Sequence, residues 1–169
     1  MRYLKLILIA VIILGGLFTL ISLLMPSRVM VARTVLIDAT PARVFSSINN
    51  LNTWPSWFTP LKGSAEKTFS PGSRSMKWKS QGKENQLILK DTTAFFSHLV
   101  LLREGHNPLD IYFSTDTIEV VRSLQLEMRV IRKLKWYPWE KFAAIVEDNM
   151  AGHAYEETLK DLKSYIEKR

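Results

Sequence analysis

The chain has 169 residues, 47% of them hydrophobic, and a net charge of +7. That length fits one domain plus an appendage, and that apolar content excludes a disordered chain. The absence of cysteine excludes a disulfide frame, a thiolate zinc site and a cysteine nucleophile, while the positive charge comes with no basic helix or nucleic-acid motif, so nucleic acid is not an expected partner.

The first element is apolar. Leu6 to Met25 reads LILIAVIILGGLFTLISLLM and carries no charge. About 20 such residues cross a hydrocarbon core of ~30 Å. A cleaved signal peptide would have a shorter apolar core and small residues at its exit. Here the exit is Leu23-Leu24-Met25-Pro26-Ser27, so an uncleaved anchor is the expectation. Residues 1–27 are read as this anchor and 28–169 as the domain it carries. Arg2 and Lys5 hold two of the positive charges, leaving +5 for the remainder. With the amino terminus they outweigh Arg28 and Arg33 beyond the span, a small bias towards an inside amino terminus. The domain would then lie outside the cytoplasm.

Arg28 to Asp38 is β-branched and alternating, and reads as a strand ended by Thr40-Pro41. Thr40 is expected to cap a helix that starts at Pro41 and turns Val44, Phe45, Ile48 and Leu51 to one face. Trp54-Pro55-Ser56-Trp57-Phe58-Thr59-Pro60 adds one further helical turn. A series of strands follows: a weak one over Ser64 to Phe69, then Arg74 to Ser80, Gln86 to Thr93, Phe95 to Arg103 and Leu109 to Thr115. In the last strand Leu124, Leu126, Met128 and Val130 alternate with polar residues, giving one apolar and one wet face. Pro138 to Lys168 closes the chain as a helix. Phe142, Ile145, Val146, Met150, Ala154, Leu159, Leu162 and Ile166 recur there mostly at spacings of three or four. About 30 residues at 1.5 Å each make a helix of some 45 Å, too long to hide within a small domain. A meander of strands with one apolar face needs a cover, and this helix supplies it.

Three stretches carry a resemblance. They are Val31 to Phe45, Asn50-Leu51-Asn52-Thr53-Trp54-Pro55-Ser56-Trp57, and the passage from the last strand through Tyr137-Pro138-Trp139 into the final helix. From Arg28 to Arg169 the chain resembles the SRPBCC, or START-like, helix-grip superfamily, which includes polyketide cyclase/dehydrase-like proteins, and in particular its bacterial members with an amino-terminal membrane helix. The resemblance implies an α+β fold, a curved antiparallel sheet wrapped around a long carboxy-terminal helix and preceded by one transmembrane helix. It also implies a cavity between sheet and helix for an apolar ligand, and a place in a bacterial inner or plasma membrane. By their facing, Trp78, Leu89, Leu101, Phe113, Leu126, Met128, Phe142, Val146 and Met150 are the candidate ligand-binding residues. Apolar residues at these periods fill a core by default, so the cavity is a property of the set. Trp54 and Trp57 either gate its mouth or anchor the short helix to the sheet.

Catalytic constellations are sparse. None of His98, His106 and His153 has a second histidine at i+3 or i+4, so no zinc site of that kind is expected. No nucleophile elbow, phosphate loop or dinucleotide fingerprint stands in the sequence, and no cofactor is expected. His153, with Asn149 and Glu157 four residues away on either side, has the spacing of an oriented general base. The plainer reading is a half-exposed helix side, with Glu147, Asp148, Glu156 and Asp161 as a solvated face. Arg74, Lys77, Lys79 and Lys83 are either a solvated hairpin or a patch for anionic headgroups. Three functions remain: a membrane-tethered binding module for a lipid or other hydrophobic small molecule, a polyketide cyclase/dehydrase-like enzyme, and a non-catalytic envelope interaction protein with a filled core. The partners expected are the membrane, through the amino-terminal helix, and a hydrophobic ligand.

Overall fold

The computed structural model describes residues 2–62, 67–70, 72, 74–80, 82–116 and 124–168, and for 2, 116 and 144–150 the backbone alone. Helix α1 (Arg2–Leu24) is long and apolar enough to cross a membrane, and almost all of its surface is exposed. After three intervening residues β1 begins (Arg28–Ile37). Helix α2 (Pro41–Asn49) follows, then a single turn α3 (Trp54–Trp57) between two short 3-10 turns. Strands β2 (Lys67–Phe69), β3 (Ser75–Ser80), β4 (Lys83–Thr92), β5 (Phe96–Arg103), β6 (Leu109–Asp116) and β7 (Leu124–Lys133) lead to helix α4 (Pro138–Glu167). All seven strands form one antiparallel sheet in the order β1-β7-β6-β5-β4-β3-β2. The α+β helix-grip architecture expected from the sequence is therefore the architecture of the chain.

Alternation decides which face of the sheet is wet. Met76 and Trp78, Leu99 and Leu101, Ile111 and Phe113, and Leu124 to Val130 turn their apolar members inward, as the period of two requires. The pairing register shifts between Leu89 and Asp91, and a bulge of this kind bends its strand, which suits a sheet that must wrap a helix. Gly105, at φ +77°, makes the tight β5–β6 turn in a conformation that disfavours a side chain.

The amphipathic face of α2 packs as its sequence suggests, with Val44, Phe45 and Ile48 buried. Thr40 differs from expectation: its side chain makes no capping bond, and its backbone carbonyl accepts from the amides of Arg43 and Val44. Trp54 and Trp57 are fully buried, and the Trp54 indole donates to the Ile48 carbonyl at 2.8 Å. These tryptophans anchor the α2–α3 segment to the sheet, and neither stands at an opening. The carboxy-terminal half of α4 seals the core through Leu159, Leu162 and Ile166.

Two acidic residues expected in water hold α4 in place instead. Asp161 accepts from Lys62 Nζ at 2.6 Å and from Thr59 Oγ1 at 3.2 Å. Glu156 accepts from Arg33 Nε on β1 at 2.9 Å. Periodicity marks these positions as outward on an isolated helix, but β1 reaches Glu156 and the 3-10 turn after α3 reaches Asp161.

Candidate functional site

The antiparallel register places one set of strand ends together. Arg28 at the start of β1 pairs with Lys133 at the end of β7, Arg132 pairs with Leu109, Leu109 with Leu101, Arg103 with Asn85, and Ser80 with Lys83. At this end of the sheet a cavity of about 630 Å³ opens between the concave face and α4. Its apolar wall is formed by Trp78, Leu101, Leu109, Ile111 and Met128, with Phe58 and Pro60 beside them. Its helix side is Ala151, Ala154, Tyr155, Glu157 and Thr158, and its rim carries Ser80, Lys83, Asn85, Arg103, Glu104 and His106. Cavities of ~300–1,000 Å³, mostly apolar with a few polar groups, are the usual form of small-molecule sites.

The nine candidate residues separate. Trp78, Leu101 and Met128 meet on the cavity wall. Leu89, Phe113 and Leu126 are buried in the core but do not border the cavity; Phe113 instead faces the Trp54 ring at 6.3 Å. Phe142, expected on the cavity, stacks on Phe18 of α1 with ring centres 4.4 Å apart, because the first turns of α4 run beside the end of α1. The side chains of Val146 and Met150 lie outside the described residues.

The helix side of the cavity was missed because its residues are small or polar. Among large apolar residues at helical spacing, Ala151, Gly152 and Ala154 form a run with little side-chain volume. Such a run is the sequence signal for a place where a helix stands back from its sheet, since little volume projects to fill the gap.

Gly152 has a separate cause. A Cβ there would collide with the Arg33 guanidinium, which crosses the helix at this point to reach Glu156. Gly152→Ala should gain ~1 kcal/mol of helix propensity. It should also displace Arg33 from a half-exposed ion pair worth about 0–1 kcal/mol. Denaturant unfolding should therefore show a net change below about 1 kcal/mol, with the full gain appearing in an Arg33→Ala background. Equal gains in both backgrounds would mean that Arg33 does not crowd the helix.

The histidines do not converge on the cavity wall. His153 is largely exposed, and its nearest carboxylate among the described residues is Glu156 at 4.0 Å, not Glu157; the Asn149 side chain lies outside the described residues. His106 stands on the rim, with Nδ1 3.1 Å from the Glu104 carbonyl oxygen. His98 belongs to the opposite face of the sheet, 2.9 Å from Asp110 and 3.8 Å from Asp91, with its ring stacked on Tyr112. Burial, and then the Asp110 carboxylate, raise the Tyr112 phenol above its ordinary pKa, while Arg28 opposes them. Among the described residues, no group of three or more histidine and carboxylate side chains could hold a metal ion.

Among the described residues, Arg103 is the rim cation whose situation suggests a ligand. Its Nε is buried and has no hydrogen-bond partner among the described residues. A buried donor left unpaired costs about 1–3 kcal/mol. An acceptor on a bound molecule would recover that cost. Lys77 and Lys79, on the hairpin, are exposed, and Lys83 reaches the cavity rim.

Solved structures share this architecture. A protein of unknown function from Staphylococcus aureus, SA2116, superposes with a TM-score of 0.65 at 13% identity, over 83% of this chain and 94% of its own. A START superfamily protein from Mycobacterium smegmatis gives 0.60 at 17% identity, over 82% and 97%. CalU16 from Micromonospora echinospora gives 0.52 at 14% identity, over 82% and 84%. No protein-family model and no curated protein sequence matches the chain. At such identities the likeness establishes the fold, START-like and helix-grip, and leaves function to be argued from the cavity.

Proposed function

We propose that this START-like helix-grip chain is a membrane-tethered binding module that takes up a lipid or other hydrophobic small molecule in the cavity between its sheet and α4. The observation that carries this reading is the cavity itself: about 630 Å³, with an apolar wall and an ionic rim. A filled core, as an envelope interaction protein would have, leaves no such space. The cyclase/dehydrase-like reading would run through His153 or a cavity carboxylate. His153 is on the exposed side of α4, and the carboxylates of Glu104 and Glu157 stand on the cavity's border without a histidine ring in bonding distance among the described residues, His106 meeting only the Glu104 backbone carbonyl. Binding requires no such pair. Tethering would keep the domain near amphipathic ligands and raise their effective concentration.

The test is native mass spectrometry of the chain released from detergent micelles. A co-purifying hydrophobic mass supports the reading, and a ligand-free chain that also refuses added fatty acids and phospholipids overturns it. Residues 28–169 should fold without the anchor, since the core cluster contains no α1 residue. A truncated chain lacking residues 1–27 should give a cooperative unfolding transition and a mixed helix–sheet circular dichroism spectrum. An unfolded or insoluble product would count against that autonomy.

Helix α1 would serve as an uncleaved anchor in a bacterial inner or plasma membrane, with the domain outside the cytoplasm as the weak charge bias favours. Alkaline phosphatase fused after Arg169 should be active. An inactive enzyme, together with a bright cytoplasmic fluorophore at the same position, would reverse the orientation.

A further inference from the structure

The aromatic segment that opens α4 has no role in the core or the cavity. Trp136 and Trp139 are 64% and 67% exposed. Tyr137 joins them, its ring stacked on Trp139 and tilted against Trp136, each at 4.9 Å between centres. Three aromatic rings held together in water are an exposed apolar surface with polar N–H and O–H edges, the chemistry enriched where a membrane meets water.

The segment stands where the chain leaves α1. Lys141 is buried, and its ammonium donates to the carbonyls of Ser22 and Met25 at 2.9 and 3.0 Å, satisfying the end of the apolar helix. The Leu134 amide donates to the Ser27 carbonyl, tying the β7 exit to the same place. Phe18, against which Phe142 stacks, is six residues before the end of α1, or about 9 Å along its axis. If α1 crosses a bilayer, the first turns of α4 are drawn down beside its last turns. Interfacial helices bury their apolar face by ~5–10 Å, the same depth. Arg28, Lys133 and Lys135 are exposed at this end and suit anionic headgroups.

The cavity rim lies at the same end. Asn107, in the loop that follows rim residues Glu104 and His106, donates to the Lys133 carbonyl at 3.0 Å and to Glu140 at 2.7 Å. That pair of bonds fixes the rim loop to the start of α4. The geometry points to a bilayer surface as the partner of this end of the domain: Trp136, Tyr137 and Trp139 insert at the headgroup level, and the cavity mouth turns towards the membrane. A ligand would then pass between bilayer and cavity with little travel through water. The inference rests on α1 as a membrane span, the premise shared with the proposed function, and is independent of whether the cavity is filled.

The chain has no cysteine, so single spin labels can be placed without removing any residue of that type. Four variants of the full chain suffice in vesicles of phosphatidylcholine and phosphatidylglycerol: Leu14→Cys within α1, Trp139→Cys in the aromatic segment, Ser80→Cys at the rim, and Ala94→Cys in the turn at the far end of the sheet. The readout is the ratio of collision with oxygen to collision with a water-soluble nickel chelate. The label at 14 should report hydrocarbon, the label at 139 the headgroup region with a ratio several-fold above that at 94, the label at 80 an intermediate value, and the label at 94 open water. Labels at 139 and 80 as wet as that at 94, with 14 in hydrocarbon, overturn the docked orientation while leaving the anchor standing. A wet label at 14 overturns the anchor and the docking together. A second measurement needs no cysteine: brominated lipid should quench part of the tryptophan emission of the unaltered chain, and Trp136→Phe with Trp139→Phe should lose most of that quenching. Unchanged quenching in the double variant also counts against the proposal.

Discussion

Trp54→Ala should lower the unfolding free energy by about 3–5 kcal/mol, the usual cost of deleting a buried indole. Trp54 is fully buried, with Trp57 at 4.4 Å, Phe58 at 4.9 Å and Phe113 at 6.3 Å between ring centres. Truncation would remove the edge contacts with Phe58 and Phe113 and the tilted contact with Trp57, and leave a hole among three aromatics that cannot close over it without moving α2. The indole also donates to the Ile48 carbonyl in the last turn of α2. Trp54→Phe separates the two contributions. It keeps most of the ring volume but strands a buried carbonyl, for about 1–3 kcal/mol. Denaturant unfolding of residues 28–169 measures both. If Trp54→Phe proves as damaging as Trp54→Ala, the hydrogen bond and not the packing holds this corner together. If neither exceeds about 1 kcal/mol, the α2–α3 segment is not anchored as described.

The second large effect is on binding. Ala154→Trp should lower the uptake of a fluorescent fatty acid at least tenfold, while shifting the unfolding free energy by less than about 1 kcal/mol. Ala154 borders the cavity from the helix side and is itself exposed. An indole there has room to lie across the opening, so volume is added to a void and not to a packed core. Overpacking a filled interior by that much would cost about 1–3 kcal/mol or more. The two readouts divide the alternatives. Strong destabilisation would mean that the space is occupied by protein in solution, which favours a filled-core interaction protein. Unchanged uptake with unchanged stability would place the ligand elsewhere. Leu162→Ala serves as the contrast: Leu162 is fully buried on the far half of the same helix, and its loss should cost about 2–5 kcal/mol while leaving the cavity wall intact.

Such contrasts follow from the way α4 is used. Its carboxy-terminal half is ordinary core, through Leu159, Leu162 and Ile166. Its middle stands back from the sheet at Ala151 and Ala154, and its beginning belongs to α1, through Phe142 and Lys141. One helix thus meets a packed interior, a void and a membrane-apt helix in succession.

Much of this molecule was legible in its residues one after another. A strand buried on one face must alternate, so the alternation of β3, β6 and β7 gives their inward residues, Trp78 and Met128 among them. An uninterrupted helical period named α4 within a residue of its end. An uncharged run of about 20 residues named α1. These are local properties, set by the backbone's own periods of 2 and 3.6.

Other features waited for the tertiary structure, because periodicity gives a face but not what the face meets. The apolar stripe of α4 is continuous in sequence, so nothing local distinguished Phe142, which meets Phe18, from Leu159, which seals the core. Glu156 and Asp161 read as solvated until β1 brought Arg33, and the turn after α3 brought Lys62, to them. By residue type alone Gly152 is a small helical penalty, and only the tertiary structure lays Arg33 across it. Nothing in the sequence around Lys141 marks it as the residue whose ammonium donates to the carbonyls at the end of α1. Each depends on a partner more than 90 residues away in the chain, at a distance that only the packing of the sheet, the turn after α3 and α1 against α4 determines.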